Sequence, residues 1–434
     1  MTPSPAVEHR HSVAGVESEK SFSLAVVVDS RIVVVGLGYI GLPTAVVLAR
    51  AGLDVVGVDV SDRHIDAVNR GELPFVEEGL GEVVAEVVKA GKLTATKEMP
   101  KADVYIITVP TPSAESYKAD LSYIDAATAA IAPQLGGDEL VILGSTSPAG
   151  TTEHIREVLL ELRPELTGVQ FAHCPERVLP GRIMVEMVSN DRIVGGLTPV
   201  AAQRACDLYA TFCQGELHQT DATTAEMAKL TENALRDVNT AFANELSLIS
   251  DKLGIDVWEL IELANKHPRV NVLQPGPGVG GHCIAVDPWF IVSSTPKEAR
   301  LIRTAREVNG GKPEWVIEQV RKAVEARPGA VVACLGLAFK ADIDDLRESP
   351  SVHIVEEISK RFQDHEVLAV EPHIEELPSK LVSAGGALAS LEDALARAQV
   401  LVLLVDHTAF KSIDVQALQG IELIDTKGLF RIAR

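Results

Sequence analysis

The fold class is decided between residues 31 and 59, where RIVVVGLGYIG (31–41) is followed, after a helical pattern, by DVVGVD (54–59). The β-branched run before the first glycine predicts a buried strand, and the residues after the third predict a helix to about Ala51. Gly36, Gly38 and Gly41 match G-x-G-x-x-G, and Asp59 follows about 20 residues on. This order of strand, glycine turn, helix and acid-ended strand is typical of a βαβ unit that binds a dinucleotide.

The three glycines have different parts in such a unit. Gly36 permits the tight turn, Gly38 lets the backbone approach a pyrophosphate, and Gly41 lets the helix pack closely on the strand. Tyr39 and Ile40 lie between them, at the helix N-terminus whose N–H groups would bind the phosphates. The alternative interpretation is that the glycines serve only a tight strand–helix turn.

Asp59 and Arg63 bear on the choice of dinucleotide. A carboxylate at position 59 would accept hydrogen bonds from the ribose hydroxyls and repel a 2′-phosphate, which favours NAD over NADP. Arg63 lies close by in the sequence and keeps NADP from being excluded. The sequence therefore predicts NAD, with NADP as the alternative.

The strand and helix rhythm changes twice along the chain. Further strand patterns at 104–109, 140–144, 169–172 and 192–194 are followed by a helical stretch over 222–265, which Gly254 interrupts, and by a Pro/Gly-rich segment over 274–281. Strand patterns resume at 330–335, 367–370, 400–405 and 421–424. We therefore predict an α/β protein with two Rossmann-like doubly wound domains joined by a helical central region.

The predicted domain boundaries follow these changes. Residues 1–24 are polar and are expected to form a loose N-terminal tail. Residues 25–215 form the dinucleotide-binding domain, 216–312 the helical region that carries a cysteine loop, and 313–434 a smaller C-terminal α/β domain. The long amphipathic helix needs a partner for its second face, so the helical region is predicted to form a homodimer.

Composition and charge exclude several classes of protein. With 46% hydrophobic and 23% charged residues, 32 Gly and 23 Pro, the chain is not collagen-like, a coiled coil or wholly disordered. Its net charge of -21 would repel a phosphate backbone, so no nucleic-acid partner is expected. No apolar stretch approaches the roughly 18 residues that a membrane helix needs, so no membrane partner is expected.

Cysteine usage indicates a reducing compartment. The five cysteines, at 174, 206, 213, 283 and 334, form no C-x-x-C spacing, which argues against a disulfide framework and a zinc knuckle. A cytoplasmic location fits this usage best. The dipeptides His173-Cys174 and His282-Cys283 could suggest a metal, but no regular ligand spacing supports one, and no metal site is predicted.

Cys283 lies in surroundings unlike those of Cys206, Cys213 and Cys334. Its loop, GGHCIAVDP (280–288), is glycine-rich, and a thiol there can be exposed and activated to the thiolate, with Asp287 at i+4. The other three occur in apolar or helical patterns typical of inert buried thiols. An inert thiol is the alternative for Cys283 too.

Lys229 and Asn233 are candidates for the same chemistry. They lie at i and i+4 on one helix face, beside the small or polar Ala222, Ala225 and Glu226. We expect this stripe to line a cleft, where an ammonium and an amide would stabilise an oxyanion. The alternative is an ordinary solvated helix surface.

Glu176 is a candidate general base. It belongs to CPER (174–177), just after a predicted strand, where loops of doubly wound sheets carry their ligands. A loop glutamate is otherwise usually just solvated.

Taken together, these motifs resemble one known family. GLGYIG (36–41), TVPTP (108–112), ST (145–146), PE (175–176), KLTEN (229–233), GGHCIAVD (280–287) and GLAFK (336–340) resemble the nucleotide-sugar 6-dehydrogenases of the UDP-glucose/GDP-mannose dehydrogenase family. The resemblance runs from about Arg31 to about Asp406. HCPERVLPG (173–181), HPRVN (267–271) and GHCIAVDPWF (281–290) look most like members that act on UDP-N-acetyl-D-mannosamine.

The resemblance implies oxidation of the C6 alcohol of a UDP-N-acetylhexosamine to a carboxylate, with two NAD molecules used in succession. The cysteine would attack the aldehyde to form a thiohemiacetal, and a second hydride transfer would leave a thioester that water hydrolyses. The resemblance implies Cys283 as the nucleophile, with Asp287 beside it, and Lys229 and Asn233 as the groups that stabilise the oxyanion. It implies Glu176 for activating the water and Thr146 for placing it.

Ligand contacts are implied in the same way. Segment 276–281 resembles a loop that wraps the uridine. Lys340 resembles a lysine that reaches the substrate from the C-terminal domain, and Arg269 resembles an arginine that reaches the neighbouring subunit's site. The cofactor set implied is Gly36, Gly38, Tyr39, Ile40, Gly41, Asp59, Arg63, Thr108, Pro110, Thr111, Thr146 and Arg347. The UDP-sugar set implied is Glu176, Arg177, Val178, Lys229, Asn233, Arg269, Asn271, Gly276, Gly280 and Lys340.

Several questions stay open at the level of sequence. Glucose-oxidising relatives carry a second Glu where this chain has Pro180, which argues against UDP-glucose and leaves the hydrolytic base uncertain. The mannosamine and glucosamine configurations are both compatible with the motifs. A non-catalytic NAD-binding regulator and a two-electron dehydrogenase are the rival functions, and the second would not need the nucleophilic Cys283.

Overall fold

The computed structural model describes residues 30–75, 77–113, 117–179, 181–281 and 283–430. These residues form two compact units. The first contains the described residues up to 113 and from 119 to 229, and the second contains 117, 118 and 230–430. Within these described ranges, no helix is both long and apolar enough to span a bilayer.

An eight-stranded sheet forms the centre of the first unit. Its order is β3-β2-β1-β4-β5-β6-β7-β8, and β6 and β7 pair antiparallel whereas the other neighbours are parallel. Val33 pairs with Val56 on one side and with Tyr105 on the other. The strands are β1 (Arg31–Val35), β2 (Asp54–Val58), β3 (Leu93–Thr96), β4 (Val104–Ile107), β5 (Leu140–Leu143), β6 (Gln170–His173), β7 (Arg192–Gly196) and β8 (Leu217–Asp221).

Helices cover both faces of this sheet. Ile32 and Val34 pack in one apolar layer, whereas Val33 and Val35 pack in the other, as the period of two in a strand requires. Burial on both faces explains why the strands are continuous β-branched runs. The helices are α1 (Gly41–Arg50), α2 (Asp62–Asn69), α3 (Leu80–Lys89), α4 (Ser122–Ile131), α5 (Thr151–Leu162), α6 (Ile183–Ser189) and α7 (Pro199–Tyr209), with a 3₁₀ turn at Ala132–Gln134.

The second unit has a smaller parallel sheet, in the order β11-β10-β9-β12-β13. Its strands are β9 (Val332–Leu335), β10 (Val367–Val370), β11 (Gly386–Leu388), β12 (Val400–Leu403) and β13 (Glu422–Asp425). The helices that follow the first sheet in the chain are α8 (Ala222–Leu253), α9 (Val257–Ala264), α10 (Asp287–Ser294), α11 (Arg300–Glu325), α12 (Pro350–Arg361), α13 (Ser379–Ser383) and α14 (Leu391–Arg397), with 3₁₀ turns at Thr408–Ser412 and Val415–Leu418.

The predicted fold class is confirmed. Both sheets place their first strand between their second and fourth, the order of a doubly wound fold in which ligands bind where the order reverses. Gly254, at φ 68°, separates α8 from α9 as predicted. The patterns missed β3, β8 and β11, and β8 shows the reason: LHQTD lies at a sheet edge and buries no side chain, so it has no apolar run to detect.

The turn after β9 in the second sheet resembles the glycine turn after β1, but its N–H groups bond to the side chain of Glu371, a protein group. Gly336, at φ 92°, follows β9, and the Glu371 carboxylate after β10 accepts hydrogen bonds from Leu337 N (2.7 Å) and Ala338 N (3.1 Å). His407 Nε2 lies 3.0 Å from the same oxygen, and His407 Nδ1 accepts from Asp342 N at 2.9 Å. Burial would raise the pKa of Glu371, but the hydrogen bonds from His407 and the turn hold it below its usual value. Both ring nitrogens of His407 are thus used, so the cluster of Asp342, His373 and His407 is not assigned to a metal.

The contact between α8 and α11 is polar, although it is buried. We call its residues the polar seam: Asp237, Asn244 and Ser247 on α8, and Arg306, Asn309 and Lys312 on α11. Lys312 Nζ donates to Ser247 Oγ at 2.6 Å and lies 3.7 Å from the centre of the Trp315 ring. Burial lowers the pKa of Lys312 to about 7.

Lys312 should make stability depend on pH. Its ordinary pKa is 10.5, so between pH 7 and 10 the unfolded chain binds a proton that the folded chain does not, and stability rises with pH. We expect this residue to contribute up to about 1.4 kcal/mol per pH unit to the free energy of unfolding, and Lys312→Met to remove that slope. Urea unfolding of both proteins at pH 7, 8 and 9 measures it, and parallel curves would contradict the assignment.

Candidate active site

The β1–α1 turn has the geometry of a pyrophosphate cradle. Gly36 has φ 95°, and a Cβ there would lie 2.9 Å from the Thr108 carbonyl oxygen. A Cβ at Gly41 would lie 1.7 Å from the Gly36 oxygen, whereas one at Gly38 would meet nothing within 4 Å. Two of the glycines are therefore required by packing, and the third faces open space that a ligand can occupy.

The start of α1 is suited to an anion. Its N-cap residue, Ile40, makes no side-chain cap bond in the described part of the chain. Leu42 N and Thr44 N donate to Gly38 O and Ile40 O, and Pro43 has no N–H, so the N–H groups placed to serve a phosphate are those of Ile40 and Gly41. Tyr39 beside it is 42% exposed and stacks on Phe75, with ring centroids 4.3 Å apart. Both predicted cofactor residues thus lie at the open side of the turn.

Asp59 is fixed at the end of β2. Its Oδ2 accepts from Leu37 N at 2.7 Å and its Oδ1 accepts from Ser61 N at 2.8 Å. His64 Nδ1 lies 3.6 Å from Oδ2 and was not predicted. Arg63 is exposed, and its Nη2 donates to Pro74 O at 3.4 Å. The carboxylate is therefore oriented toward the turn and keeps lone pairs for ribose hydroxyls, as NAD requires.

The ends of β4 and β5 supply the other predicted cofactor residues. Thr108 Oγ1 donates within the protein, where it lies 2.9 Å from Val35 O and 3.0 Å from Gly36 O, so its hydroxyl holds the turn. Thr111 Oγ1 is buried and has no partner among the described residues, while Pro110 is exposed and Thr146 half-buried. The orphaned hydroxyl, the open space at Gly38 and the acid after β2 together fit a bound NAD.

Glu176 forms a nearly buried ion pair, which the sequence did not reveal. Its Oε2 accepts from both Nη atoms of Arg192, each at 3.2 Å, and the two side chains are 10% and 5% exposed. Its Oε1 accepts from Arg177 N at 2.9 Å. Arg192 also lies 4.9 Å from the ring centre of Tyr209. The predicted general base is therefore a fixed carboxylate whose charge is compensated.

Acidic side chains anchor the rest of this loop. Glu186 accepts from Leu179 N at 2.8 Å, and Glu77 accepts from Gly181 N and Ile183 N at 3.0–3.1 Å. Pro180, where the glucose-oxidising relatives have their second Glu, lies outside the described residues. Arg177 Nη2 donates to Asp191 O at 2.7 Å and Val178 packs on an apolar cluster, so these two predicted substrate residues direct their side chains at the protein.

The expectation that Ala222, Ala225 and Glu226 line a cleft was wrong. All three are at most 2% exposed. Glu226 accepts from Gly150 N (2.5 Å), Thr152 N (2.7 Å) and Thr152 Oγ1 (2.6 Å), so it caps the start of α5, and burial raises its pKa. A glutamate can be buried here because the first N–H groups of a helix lack partners of their own. Lys229, one turn later, is half-buried.

Cys283, Asn233 and Asp287 belong to the second unit. Cys283 is exposed, and its carbonyl accepts from Asp287 N at 2.8 Å in the turn that begins α10. Asn233 Nδ2 donates to Asp287 Oδ2 at 2.5 Å, and both side chains are buried. The structure thus pairs two predicted catalytic residues directly, and places the thiol one helical turn before the carboxylate.

The other cysteines differ from Cys283 in burial. Burial raises the pKa of Cys174 to about 11 and that of Cys334 to about 12, which makes both poor thiolates. His173 is fully buried, and burial lowers its pKa to about 3. His282, from the second His-Cys dipeptide, lies outside the described residues.

The segment predicted to wrap a uridine is tightly packed within the second unit. Gly276 is buried and its N–H donates to Asn244 Oδ1 at 2.9 Å. A Cβ at Gly280 would lie 2.6 Å from Glu348 O and 2.7 Å from Pro350 Cδ. Its glycines are therefore explained in part by packing against the start of α12. Among the predicted basic and polar ligands, Arg269, Asn271 and Lys340 are exposed, whereas Arg347 pairs with Asp345 at 2.6 Å.

Three parts of the chain match domains of one family. Residues 30–213 match the NAD binding domain, 223–310 the central domain and 333–431 the UDP binding domain of the UDP-glucose/GDP-mannose dehydrogenase family. A UDP-N-acetyl-D-mannosamine dehydrogenase of Salmonella typhi is 54% identical over 93% of this chain and 99% of its own length. An NDP-N-acetyl-D-galactosaminuronic acid dehydrogenase of Ralstonia nicotianae is 52% identical over 94% and 99%.

Solved structures are similar over nearly the whole chain. The UDP-D-ManNAc dehydrogenase of Pyrococcus horikoshii matches with a TM-score of 0.83 and 38% identity, covering 93% of this chain and 96% of the other. The UDP-N-acetyl-mannosamine dehydrogenase of Staphylococcus aureus matches with a TM-score of 0.82 and 40% identity over the same shares. These similarities extend across both described units.

Proposed function

Because this chain belongs to the UDP-glucose/GDP-mannose dehydrogenase family, we propose that it oxidises the C6 hydroxyl of UDP-N-acetyl-D-mannosamine to the carboxylate. The family predicted from the motifs is confirmed, and the chain is an NAD-dependent nucleotide-sugar dehydrogenase. The choice of sugar is carried by the 54% identity to the Salmonella typhi enzyme. The Ralstonia relative favours an N-acetylgalactosamine nucleotide as the second candidate.

The proposed chemistry passes through the Cys283 thiol. In each of two oxidation steps one hydride would pass to an NAD held by the β1–α1 turn and Asp59, and a second NAD would replace the first NADH between the steps. Cys283 Sγ adds to the C6 aldehyde left by the first oxidation, and the resulting thiohemiacetal becomes a thioester in the second. Water then adds to the thioester carbon, the C–S bond breaks to release the Cys283 thiolate, which is reprotonated, and the product is the carboxylate. The exposure of Cys283 supports this role, since the sulfur must reach a substrate carbon.

Asn233 is proposed to stabilise the oxyanion and to hold a water, with its amide oriented by Asp287. The carboxylate of Asp287 fixes which end of the Asn233 amide is the donor, because a carboxylate only accepts. The orientation of the second N–H of that amide is then fixed as well, and we propose that it faces the oxyanion. Lys229 is proposed to add positive charge where the oxyanion develops.

For Glu176 we propose that it orients the hydrolytic water rather than removing its proton. Accepting a proton would break a nearly buried ion pair with Arg192, and such pairs are costly to break. A charged carboxylate held by a guanidinium can still accept a hydrogen bond from water through its other lone pairs.

The proposed function predicts two NADH per sugar consumed. Purified protein should be offered NAD with the UDP forms of N-acetylmannosamine, N-acetylglucosamine, N-acetylgalactosamine and glucose. We expect the first to have the highest kcat/KM, by at least about tenfold, since specific hydrogen bonds to a substrate are worth that much. One NADH per sugar would indicate a two-electron dehydrogenase, and NAD binding without turnover would indicate a regulator.

We also propose that the chain forms a homodimer through α8. Leu235, Phe242, Ile249 and Leu253 recur at the helical period and are 47–65% exposed, so α8 carries an apolar stripe on the side opposite Asp237 and Asn244. A contiguous exposed stripe of this kind marks an interaction surface. A second copy of the same helix matches it in length and character.

Leu235→Glu combined with Phe242→Glu should give a monomer, because charges would be buried without partners in the proposed interface. Size-exclusion chromatography with light scattering at micromolar concentration measures this. Leu162→Glu, at a 50% exposed leucine on α5, is the matched control and should leave the mass unchanged. A monomeric wild-type chain would contradict the proposal.

The cytoplasm is the proposed location. All five cysteines lie in the described part of the chain and are reduced thiols rather than disulfides. Such usage is characteristic of reducing compartments.

A further inference from the structure

The polar seam between α8 and α11 ends on the backbone of the nucleotide segment. Asn244 and Asn309 are at most 1% exposed, and Gly276, the first glycine of segment 276–281, is buried against them. Asn244 Oδ1 accepts from Gly276 N at 2.9 Å, and Asn244 Nδ2 donates to Asn309 Oδ1 at 2.8 Å. Asn309 Nδ2 donates to Asp237 Oδ1 at 2.8 Å. We call this row of Asp237, Asn309, Asn244 and Gly276 the relay.

The relay has a direction that Asp237 imposes. The Asp237 carboxylate accepts from Arg306 Nη1 at 2.6 Å as well as from Asn309. Since a carboxylate only accepts, Asn309 must turn its NH₂ toward Asp237 and its oxygen toward Asn244. Asn244 must then donate to Asn309, and its oxygen is left facing the Gly276 N–H. One buried charge therefore sets the orientation of two amides and the position of a backbone group.

The other end of segment 276–281 is closely packed against the start of α12. A Cβ at Gly278 would lie 2.9 Å from Pro350 Cβ, and one at Gly280 would lie 2.6 Å from Glu348 O. Segment 276–281 is thus held between α8 on one side and the start of α12 on the other. A displacement at Gly276 is therefore expected to change the conformation of the segment between these two attachments.

The polar seam is not needed for helix packing itself. Apolar residues of similar volume between two helices usually stabilise as much as buried ionic groups or more. They would, however, leave the buried Gly276 N–H without an acceptor, and such a group is costly. The Gly276 N–H therefore explains why an amide oxygen is buried at Asn244.

We propose that Asn244 and Asn309 are positioning residues for the nucleotide: through Gly276 they set the conformation in which segment 276–281 receives the uridine diphosphate of the substrate. The inference rests on the proposed function, and it takes segment 276–281 as the part that contacts the uridine, as its resemblance to the family's uridine loop implies. It concerns binding of the nucleotide half and not the oxidation steps.

Asn244→Ala tests the relay, with Ser247→Ala as its matched control. Ser247 is buried in the same seam, where its Oγ accepts from Lys312 Nζ and donates to the backbone oxygen of Asn244, each at 2.6 Å. Among the described residues its side chain makes no bond to the segment, so Ser247→Ala leaves the Asn244 side chain and its bond to Gly276 N in place. Calorimetric titration with UDP should show affinity reduced about five- to tenfold by Asn244→Ala, the equivalent of one hydrogen bond, and unchanged by Ser247→Ala. The KM for the UDP-sugar should rise by the same factor, and the KM for NAD should stay within about twofold of wild type, because the NAD fingerprint lies in the other unit.

The outcomes separate the two proposals. Wild-type affinity for UDP in Asn244→Ala, or an equal loss in Ser247→Ala, would overturn the relay alone. A wild-type chain that does not bind UDP would overturn the proposed function and the relay with it. If Asn244→Ala does not fold, Asn309→Ala makes the same comparison, since it removes the group that orients Asn244, and unchanged UDP affinity there overturns the relay.

Discussion

Replacing Cys283 by Ala is expected to lower the rate of acid formation by at least about 10³-fold. The reason is that the variant cannot form the thiohemiacetal, and removing a covalent nucleophile typically costs this much or more. The measurement is steady-state NADH production with NAD and the UDP-sugar, together with quantification of the uronate. Because Cys283 is exposed, its loss should leave the unfolding temperature nearly unchanged.

Cys213→Ala is the matched control for this variant. Cys213 is half-buried, and its Sγ lies 3.5 Å from Asn190 O, away from the predicted site residues in sequence. We expect the Cys213→Ala variant to form acid at the wild-type rate. An unchanged rate of acid formation in Cys283→Ala would refute the covalent role, and an equal loss in both variants would attribute the effect to something other than a nucleophile.

Arg192→Met is expected to destabilise the first unit by about 3–5 kcal/mol, the usual cost of leaving one partner of a buried ion pair uncompensated. The methionine keeps much of the packing against Tyr209 and Phe212. It removes the charge beside Glu176 and the donor to Met187 O, which accepts from Arg192 Nη2 at 3.0 Å. Urea-induced unfolding, followed by a probe in the first unit, measures the change.

A double-mutant cycle distinguishes the ion pair from simple loss of packing. Glu176→Leu alone should also destabilise, since it leaves the Arg192 charge without its partner. The double variant, Arg192→Met with Glu176→Leu, should be more stable than the sum of the two single changes predicts, because neither charge remains to be compensated. Strict additivity would show that the pair is not coupled.

Much of the fold could be predicted because its signals are local. The turn after β1 needs glycine at 36 for its positive φ and at 41 for its close approach to the Gly36 oxygen, which are both local requirements. The strands that are buried on both faces can be recognised as apolar runs. The candidate residues Cys283 and Asp287 were found for the same reason, as they lie on one short loop. Strand β8 was missed because an exposed edge strand has no such run.

Partners that come from distant parts of the chain could not be predicted. Arg192 stands in DRIVGG like a charged residue at a strand end, and nothing near it in the sequence indicates Glu176 as its partner. Glu226 was expected beside a cleft because it lies with small residues on the helix face of Lys229 and Asn233, yet it caps α5. In each case a charge is buried because another element brings complementary groups to it.

The sequence by itself determined the class of protein: a dinucleotide fingerprint, a glycine-rich cysteine loop and a second α/β domain, in an order that one family shares. Only the tertiary structure decided which face of α8 is inside. Helical periodicity shows that the helix has an apolar and a polar face, and the ordinary expectation is that the apolar one is buried. Here Asp237 and Asn244 are buried and Phe242 is exposed. The physical reason is that buried polar groups are tolerated where distant residues complete their hydrogen bonds, and Arg306, Asn309 and Gly276 do so only once the chain has folded.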